Sequence, residues 1–195
     1  ISVDIPSSVT NMEYDAFYGC RNLTSINVDI NNQHYKSIDG NLYTKDGTKL
    51  IQYAIGKNDV SFVVPNGITS IGTSAFALCK SLTSITIPSS VTNIDLSAFD
   101  ELEKLTSINV DANNQHYKSI DGNLYSKDGT KLIKYAIGKM DTSFVIPNSV
   151  TIIGERAFEG CKMLENIEIP NSVTSIAASA FAECISLTTV IIPDS

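Results

Sequence analysis

Cys20, Cys79, Cys161 and Cys184, with His34 and His116, are the residues of this sequence best suited to chemistry. Thiolates and imidazoles serve as nucleophiles, bases and zinc ligands. Their spacing argues against all three. No Cys-x-x-Cys pair occurs, and His34 and His116 stand 82 residues apart, each in the same local sequence, Asn-Asn-Gln-His-Tyr. Neither has a nearby Cys or Glu at a metal-ligand interval. The run from Asp29 to His34 opens like a calcium loop but lacks the glycine at its sixth position and the closing glutamate. No glycine-rich phosphate loop and no Gly-x-Ser-x-Gly elbow is present. The sequence therefore predicts no catalytic residue, no cofactor and no metal site.

Composition narrows the partners. The chain has 195 residues, 21 acids against 14 bases and a formal net charge of −7, so it lacks the basic surface that nucleic-acid binding requires. With 43% hydrophobic residues it can bury a core, yet no apolar run approaches the roughly 18 residues needed to span a bilayer. The start, Ile1 to Pro6, has no basic, apolar signal-peptide pattern.

The six prolines reveal an internal repeat. Pro6, Pro65, Pro88, Pro147, Pro170 and Pro193 are separated by 59, 23, 59, 23 and 23 residues, so units of 23 and 36 residues account for the whole chain. The short units are 6–28, 65–87, 88–110, 147–169 and 170–192; the enlarged units are 29–64 and 111–146. Apolar residues align in columns, among them Phe17, Phe76, Phe99, Phe158 and Phe181, each preceded by Ala. Another column is Cys20, Cys79, Leu102, Cys161 and Cys184, in which Leu takes the place of Cys. The enlarged units are identical at 30 of 36 positions; they differ at Ile30/Ala112, Thr44/Ser126, Gln52/Lys134, Asn58/Met140, Val60/Thr142 and Val64/Ile146.

Each short unit ends in an alternating run, such as Leu82 to Ile87, that reads as a strand closed by the following proline. Strands are expected at 1–5, 24–28, 61–64, 83–87, 106–110, 143–146, 165–169 and 188–192. A second short extended piece and a helical turn near Ser97-Ala98-Phe99, with Ser97 as cap, would complete a coil. Stacking buries what one coil cannot. The expected fold is a strand-rich α/β solenoid of seven coils, right-handed, with one continuous parallel sheet about 35 Å long at a strand spacing of about 4.8 Å. The Asp39-Gly40 and Asp46-Gly47 pairs predict a small antiparallel meander bulging from each enlarged coil, with its counterpart at 117–135.

In the coil frame Cys161 and Cys184 are one step apart, about 5 Å and within disulfide range, but with side chains expected to point the same way into the core. Cys20 and Cys79 are separated by an enlarged coil and lie too far apart to bridge. All four are expected to be buried, reduced core thiols.

The pattern Ile-Pro-Ser-Ser-Val-Thr, x-Ile, Ala-Phe, Cys, Leu-Thr-Ser-Ile, which residues 87–110 follow except for Leu102 in the Cys position, resembles the BspA-type leucine-rich repeat, also called the Treponema-type repeat. The run from Tyr35 to Lys57 resembles the hairpin-bearing coil often interleaved in such proteins. The resemblance covers essentially the whole chain. It implies a secreted or surface protein of a host-associated microbe, sometimes adhesive toward host matrix proteins or other cells, and offers no catalytic residues.

Two surfaces are candidates for binding a host or cell-surface protein or glycan. One is the outward sheet face: Ser25, Asn27, Ser84, Thr86, Ser107, Asn109, Asn166, Glu168, Thr189 and Ile191. The other lies on the enlarged coils, which hold six of eight Tyr and nine of 14 Lys and Arg. Tyr43 and Tyr125 are the candidates there, because Tyr beside cations suits protein recognition. The alternatives are a merely solvated sheet, Tyr side chains that fill a hairpin core, and a spacer that binds nothing. Neither end carries a polar capping repeat, so the chain reads as a piece of a longer array, with weak end-to-end self-association or fraying expected at its ends.

Overall fold

The computed structural model describes residues 1–13 and 15–192; Pro193, the last of the six prolines, lies outside it. The first half contains β1 (Ser2–Ile5), β2 (Ser25–Val28), β3 (Tyr35–Ile38), β4 (Asn41–Thr44), β5 (Lys49–Gln52), β6 (Ser61–Val63), β7 (Ser70–Ile71), β8 (Ser84–Ile87) and β9 (Asn93–Ile94). The second half repeats the plan with β10 (Ser107–Val110), β11 (Tyr117–Ile120), β12 (Asn123–Ser126), β13 (Lys131–Lys134), β14 (Ser143–Val145), β15 (Ile152–Ile153), β16 (Asn166–Glu168), β17 (Ser175–Ile176) and β18 (Thr189–Ile191). The chain is a strand-rich solenoid with no helix among the described residues.

The expected helical turn is a pair of tight turns instead. Ala98 N–H donates to the Asp95 carbonyl and Asp100 N–H to that of Ser97, an i+3 to i pattern. The backbone enters the left-handed region just before Ala at Asp15, Ser74, Arg156 and Ser179, and again at Gly19, Leu78, Glu101, Gly160 and Glu183. Two left-handed residues four positions apart cannot belong to a right-handed helix. Glycine meets that demand without strain at Gly19 and Gly160. Nor does Ser97 cap the turn; Asp95 Oδ1 accepts from its N–H and its hydroxyl, at 3.1 and 2.7 Å.

The eight expected strands are present as β1, β2, β6, β8, β10, β14, β16 and β18, but they form three parallel sheets, not one: β1–β2, β6–β8–β10 and β14–β16–β18. The enlarged coils break the ladder. Beyond β2, the Ile26 N–H is taken by the Gly40 carbonyl at 2.8 Å, and Ser37 Oγ donates to the Ile26 carbonyl. Ile108 N–H and Gly122 O repeat this beyond β10 at 2.8 Å. Asp39 and Gly40 both have positive φ, the geometry of a two-residue hairpin turn. A Cβ on Gly40 would meet Ser25 Oγ at 2.9 Å, so only glycine allows this approach.

The meander does not bulge outward; it is woven into the stack. Strands β3 and β4 pair antiparallel, as do β4 and β5, and β5 then pairs in parallel with β7, placing Leu50 beside Ile71. This yields second sheets in the orders β3–β4–β5–β7–β9 and β11–β12–β13–β15–β17. Tyr53 takes the place of the column phenylalanine in its enlarged coil, with its ring 5.8 Å from Phe76, which in turn stacks on Phe99 at 5.9 Å. Tyr135, Phe158 and Phe181 repeat the ladder at 5.4 and 5.2 Å. Each buried aromatic contributes roughly 1.5–3 kcal/mol by removal from water, which is why this column runs through every coil.

Buried asparagines tie the enlarged coils to their predecessors. Asn32 Nδ2 donates to the carbonyls of Pro6 and Val9 at 2.9 and 3.0 Å, and Oδ1 accepts from the N–H groups of His34 and Tyr35, both at 2.8 Å. Asn114 makes the same four bonds to Pro88, Val91, His116 and Tyr117. Its hydrogen-bonding capacity is saturated, so it can sit in the interior without penalty.

Candidate binding surface

The alternation of each main strand turns one set of side chains inward and leaves the other on an open face. Ile26, Ile85, Ile108 and Ile167 are buried. Of the outward residues, Asn27, Asn109, Asn166, Glu168, Thr189 and Ile191 are exposed, and Ser25, Ser84, Thr86 and Ser107 are half-buried. Because the sheet is broken, they form three clusters. Ser25 and Asn27 lie beside Ser2 and Asp4. Ser84, Thr86, Ser107 and Asn109 form the middle cluster. Asn166, Glu168, Thr189 and Ile191 form the third.

Many of these groups already bond one another. Ser25 Oγ donates to Asn27 Oδ1 at 2.7 Å, and Asn27 Nδ2 to Asp4 Oδ1 at 2.8 Å. Ser107 Oγ donates to Asn109 Oδ1 at 2.7 Å, and Asn109 Nδ2 to Ser84 Oγ at 3.0 Å. The enlarged coils add apolar members that the inventory of short coils omitted: Val63, 65% exposed beside Thr86, and Val145, 64% exposed beside Glu168. The alternation in Ser61-Phe62-Val63 and Ser143-Phe144-Val145 was the signal for them.

Tyr43 and Tyr125 do not belong to a surface. Both are 1% exposed, and burial pushes each phenol up to about 12. They fill the meander core, so in this conformation they touch no ligand. His34 and His116 are exposed, their rings 6.3 and 6.4 Å from Tyr35 and Tyr117. Among the described residues no three His, Cys, Asp or Glu side chains converge as metal ligands would. Cys79 and Cys161 are buried, but Cys20 is exposed and Cys184 half-buried. The expectation of four buried thiols fails at these two because each sits in an outermost coil with a neighbour on one side only.

A charged notch went unread in the sequence. Asp100, Arg156, Glu159 and Lys162 line a cavity of about 310 Å³ between the turns of the third and fourth short coils. Lys134, whose side chain is 3% exposed, gives its ammonium to Asp100 Oδ1 at 3.2 Å and to the Arg156 carbonyl at 3.1 Å. Arg156 Nη1 reaches Asp100 Oδ2 at 3.0 Å and Glu159 Oε2 at 3.6 Å. Burial, and then the Asp100 charge, hold the Glu159 carboxyl above its usual range. The Gln52/Lys134 difference between the two enlarged units was the available clue.

The sequence model of the BspA type leucine rich repeat region matches residues 1–59, 52–139 and 134–195, in six copies. The chain belongs to this family. Three solved structures share its fold. A leucine-rich repeat protein from Eubacterium ventriosum is 26% identical with a TM-score of 0.71, over 97% of this chain and 59% of that one. A leucine rich cell surface protein from Faecalibacterium prausnitzii is 26% identical with a TM-score of 0.60, over 98% and 60%. The pneumococcal vaccine antigen PcpA is 24% identical with a TM-score of 0.67, over 98% and 50%, and its likeness is one of fold. This chain thus spans half to three-fifths of each relative's length. No curated protein matches it. No helix among the described residues is long and apolar enough to cross a membrane.

Proposed function

We propose that this BspA-type repeat is a non-enzymatic binding or adhesion module of a secreted or cell-surface protein, recognising a protein or glycan through its open sheet face. One observation carries the reading: the main strands turn Ile26, Ile85, Ile108 and Ile167 inward and leave three outward clusters rich in Ser, Thr and Asn, interrupted by exposed Val63, Val145 and Ile191. Hydroxyls and amides offer hydrogen-bond donors and acceptors to a glycan or a protein ligand, and the valines between them offer small apolar contacts. Likeness to a protein named for the cell surface supports the location.

The test is a screen of the native protein against immobilised matrix proteins and glycans, with Thr86→Arg as a blocked face. The expected outcome is at least one ligand whose binding falls ~10-fold, about 1.4 kcal/mol, in the variant while its melting temperature is unchanged. A ligand indifferent to Thr86→Arg places the site elsewhere.

A spacer that displays other domains is the second reading. It is favoured by the self-satisfied bonds among Ser84, Ser107 and Asn109, which leave fewer free donors. Failure of the whole screen selects it.

A further inference from the structure

Cys161 and Cys184 follow the turns of adjacent coils. Those turns are bonded directly: Phe158 N–H to the Ala180 carbonyl at 2.8 Å and Gly160 N–H to the Ala182 carbonyl at 2.9 Å. The Phe158 and Phe181 rings stack at 5.2 Å. One coil step therefore separates the two cysteines, and a step of about 5 Å falls within the Cα separation of disulfides, about 4.4–6.8 Å. The side chains do not run in parallel into the core as the sequence suggested. Cys184 Sγ leans into the neighbouring coil and donates at 3.1 Å to the Phe158 carbonyl, the same oxygen that accepts from the Cys161 N–H at 3.0 Å.

No other thiol has such a neighbour. Cys79 meets Leu102 in its column, and an enlarged coil intervenes between Cys20 and Cys79. The pair is also asymmetric. Cys161 is 1% exposed, whereas Cys184 is half-buried. A half-exposed thiol backed by a shielded second thiol is the arrangement of an attacking and a resolving cysteine.

We propose that Cys184 and Cys161 form a thiol–disulfide exchange site whose substrate is a low-molecular-weight disulfide of the glutathione type. The Cys184 thiolate, its proton lost to water, attacks one sulfur of the small disulfide. The S–S bond breaks, a Cys184 mixed disulfide forms, and one small thiolate leaves and takes up a proton. Cys161 then attacks Cys184 Sγ, its own proton passing to the second departing thiolate. Two protein thiols are oxidised to one disulfide and one small disulfide is reduced to two thiols. The product is a covalent staple between the two last short coils.

The experiment uses the chain carrying Cys20→Ser, which removes the other accessible thiol, with oxidised glutathione as probe. Intact-mass measurement and peptide mapping should show the loss of two hydrogens and a bridge between Cys161 and Cys184. With Cys161→Ser added, a glutathione adduct on Cys184 should accumulate unresolved; with Cys184→Ser added, the folded protein should stay unmodified. Circular dichroism melts confirm that each variant is folded. Should a variant not fold, Cys20→Ser alone decides: a persistent Cys184 adduct with no bridge, or no reaction, overturns the proposal.

Discussion

Lys134 and Gln52 occupy one position of the two enlarged units, and both are buried, yet they close different networks. Gln52 Nε2 donates to the Tyr53 and Ala75 carbonyls at 2.9 and 3.3 Å. Lys134 reaches the Arg156 carbonyl and needs the Asp100 carboxylate as well. A buried ammonium costs heavily unless its counter-charge is present, and loss of one partner is worth about 3–5 kcal/mol. Asp100→Asn should therefore cost about 3 kcal/mol, at the lower end because Asp100 keeps some solvent contact. Lys134→Gln combined with Asp100→Asn should cost less than about 1 kcal/mol, since Gln can bond as Gln52 does. Urea melts of the four proteins of the cycle measure the coupling; additive costs would dissolve it.

Asn114→Ala should destabilise by about 3 kcal/mol, because two buried and two part-buried backbone groups lose their partner at once. Asn113→Ala, one residue away and exposed, should stay within about 0.5 kcal/mol. Comparable losses from both would deny Asn114 its stapling role.

Phe99→Ala should cost about 3–5 kcal/mol, the range for deleting a core aromatic; Phe99 is buried and stacked on Phe76. Ser84→Ala on the sheet face should remain within about 0.5 kcal/mol. Denaturant midpoints at constant slope compare them, and equal shifts would contradict the inward and outward phase of the strands.

Acid should reach the meander turns late. The Ser126 hydroxyl, then the N–H and hydroxyl of Thr130, hold the Asp128 carboxyl at about 2. The folded value lies below the ordinary one of about 3.9, so this group stabilises the fold above pH ~4 and loses that contribution as pH falls through about 2. Carboxyl-carbon NMR should place its midpoint near 2, and Ser126→Ala should move the midpoint back up. An unmoved midpoint would assign the depression to another cause.

What was legible in the sequence was whatever repeats. Pro6, Pro65, Pro88 and their successors fixed the period, the Phe column fixed the inward phase, and Asp39-Gly40 fixed the hairpin. The break in the sheet was not legible, because it depends on which edge Gly40 meets, and a turn motif carries no information about its docking partner. Left-handed backbone at Leu78, Glu101 and Glu183 was hidden because those residue types do not announce it; Gly19 and Gly160 in the same column were the available but unread signal. The charged notch escaped because Asp100, Lys134 and Arg156 lie up to 56 residues apart and look like ordinary surface charges until the coils bring them together.

The two interruptions of the parallel ladder have a mechanical consequence. A continuous row of strand-to-strand hydrogen bonds resists bending as one beam and, once torn at an edge, unzips bond by bond. Here the tear from β1 stops at β2, where the next contact is the hairpin turn whose Gly40 carbonyl accepts from the Ile26 N–H, and a tear through β6, β8 and β10 meets the same device at Gly122 and Ile108. Under tension along its axis the solenoid should yield in discrete steps bounded by the enlarged coils, and flex at those two points while the stretches between them stay stiff.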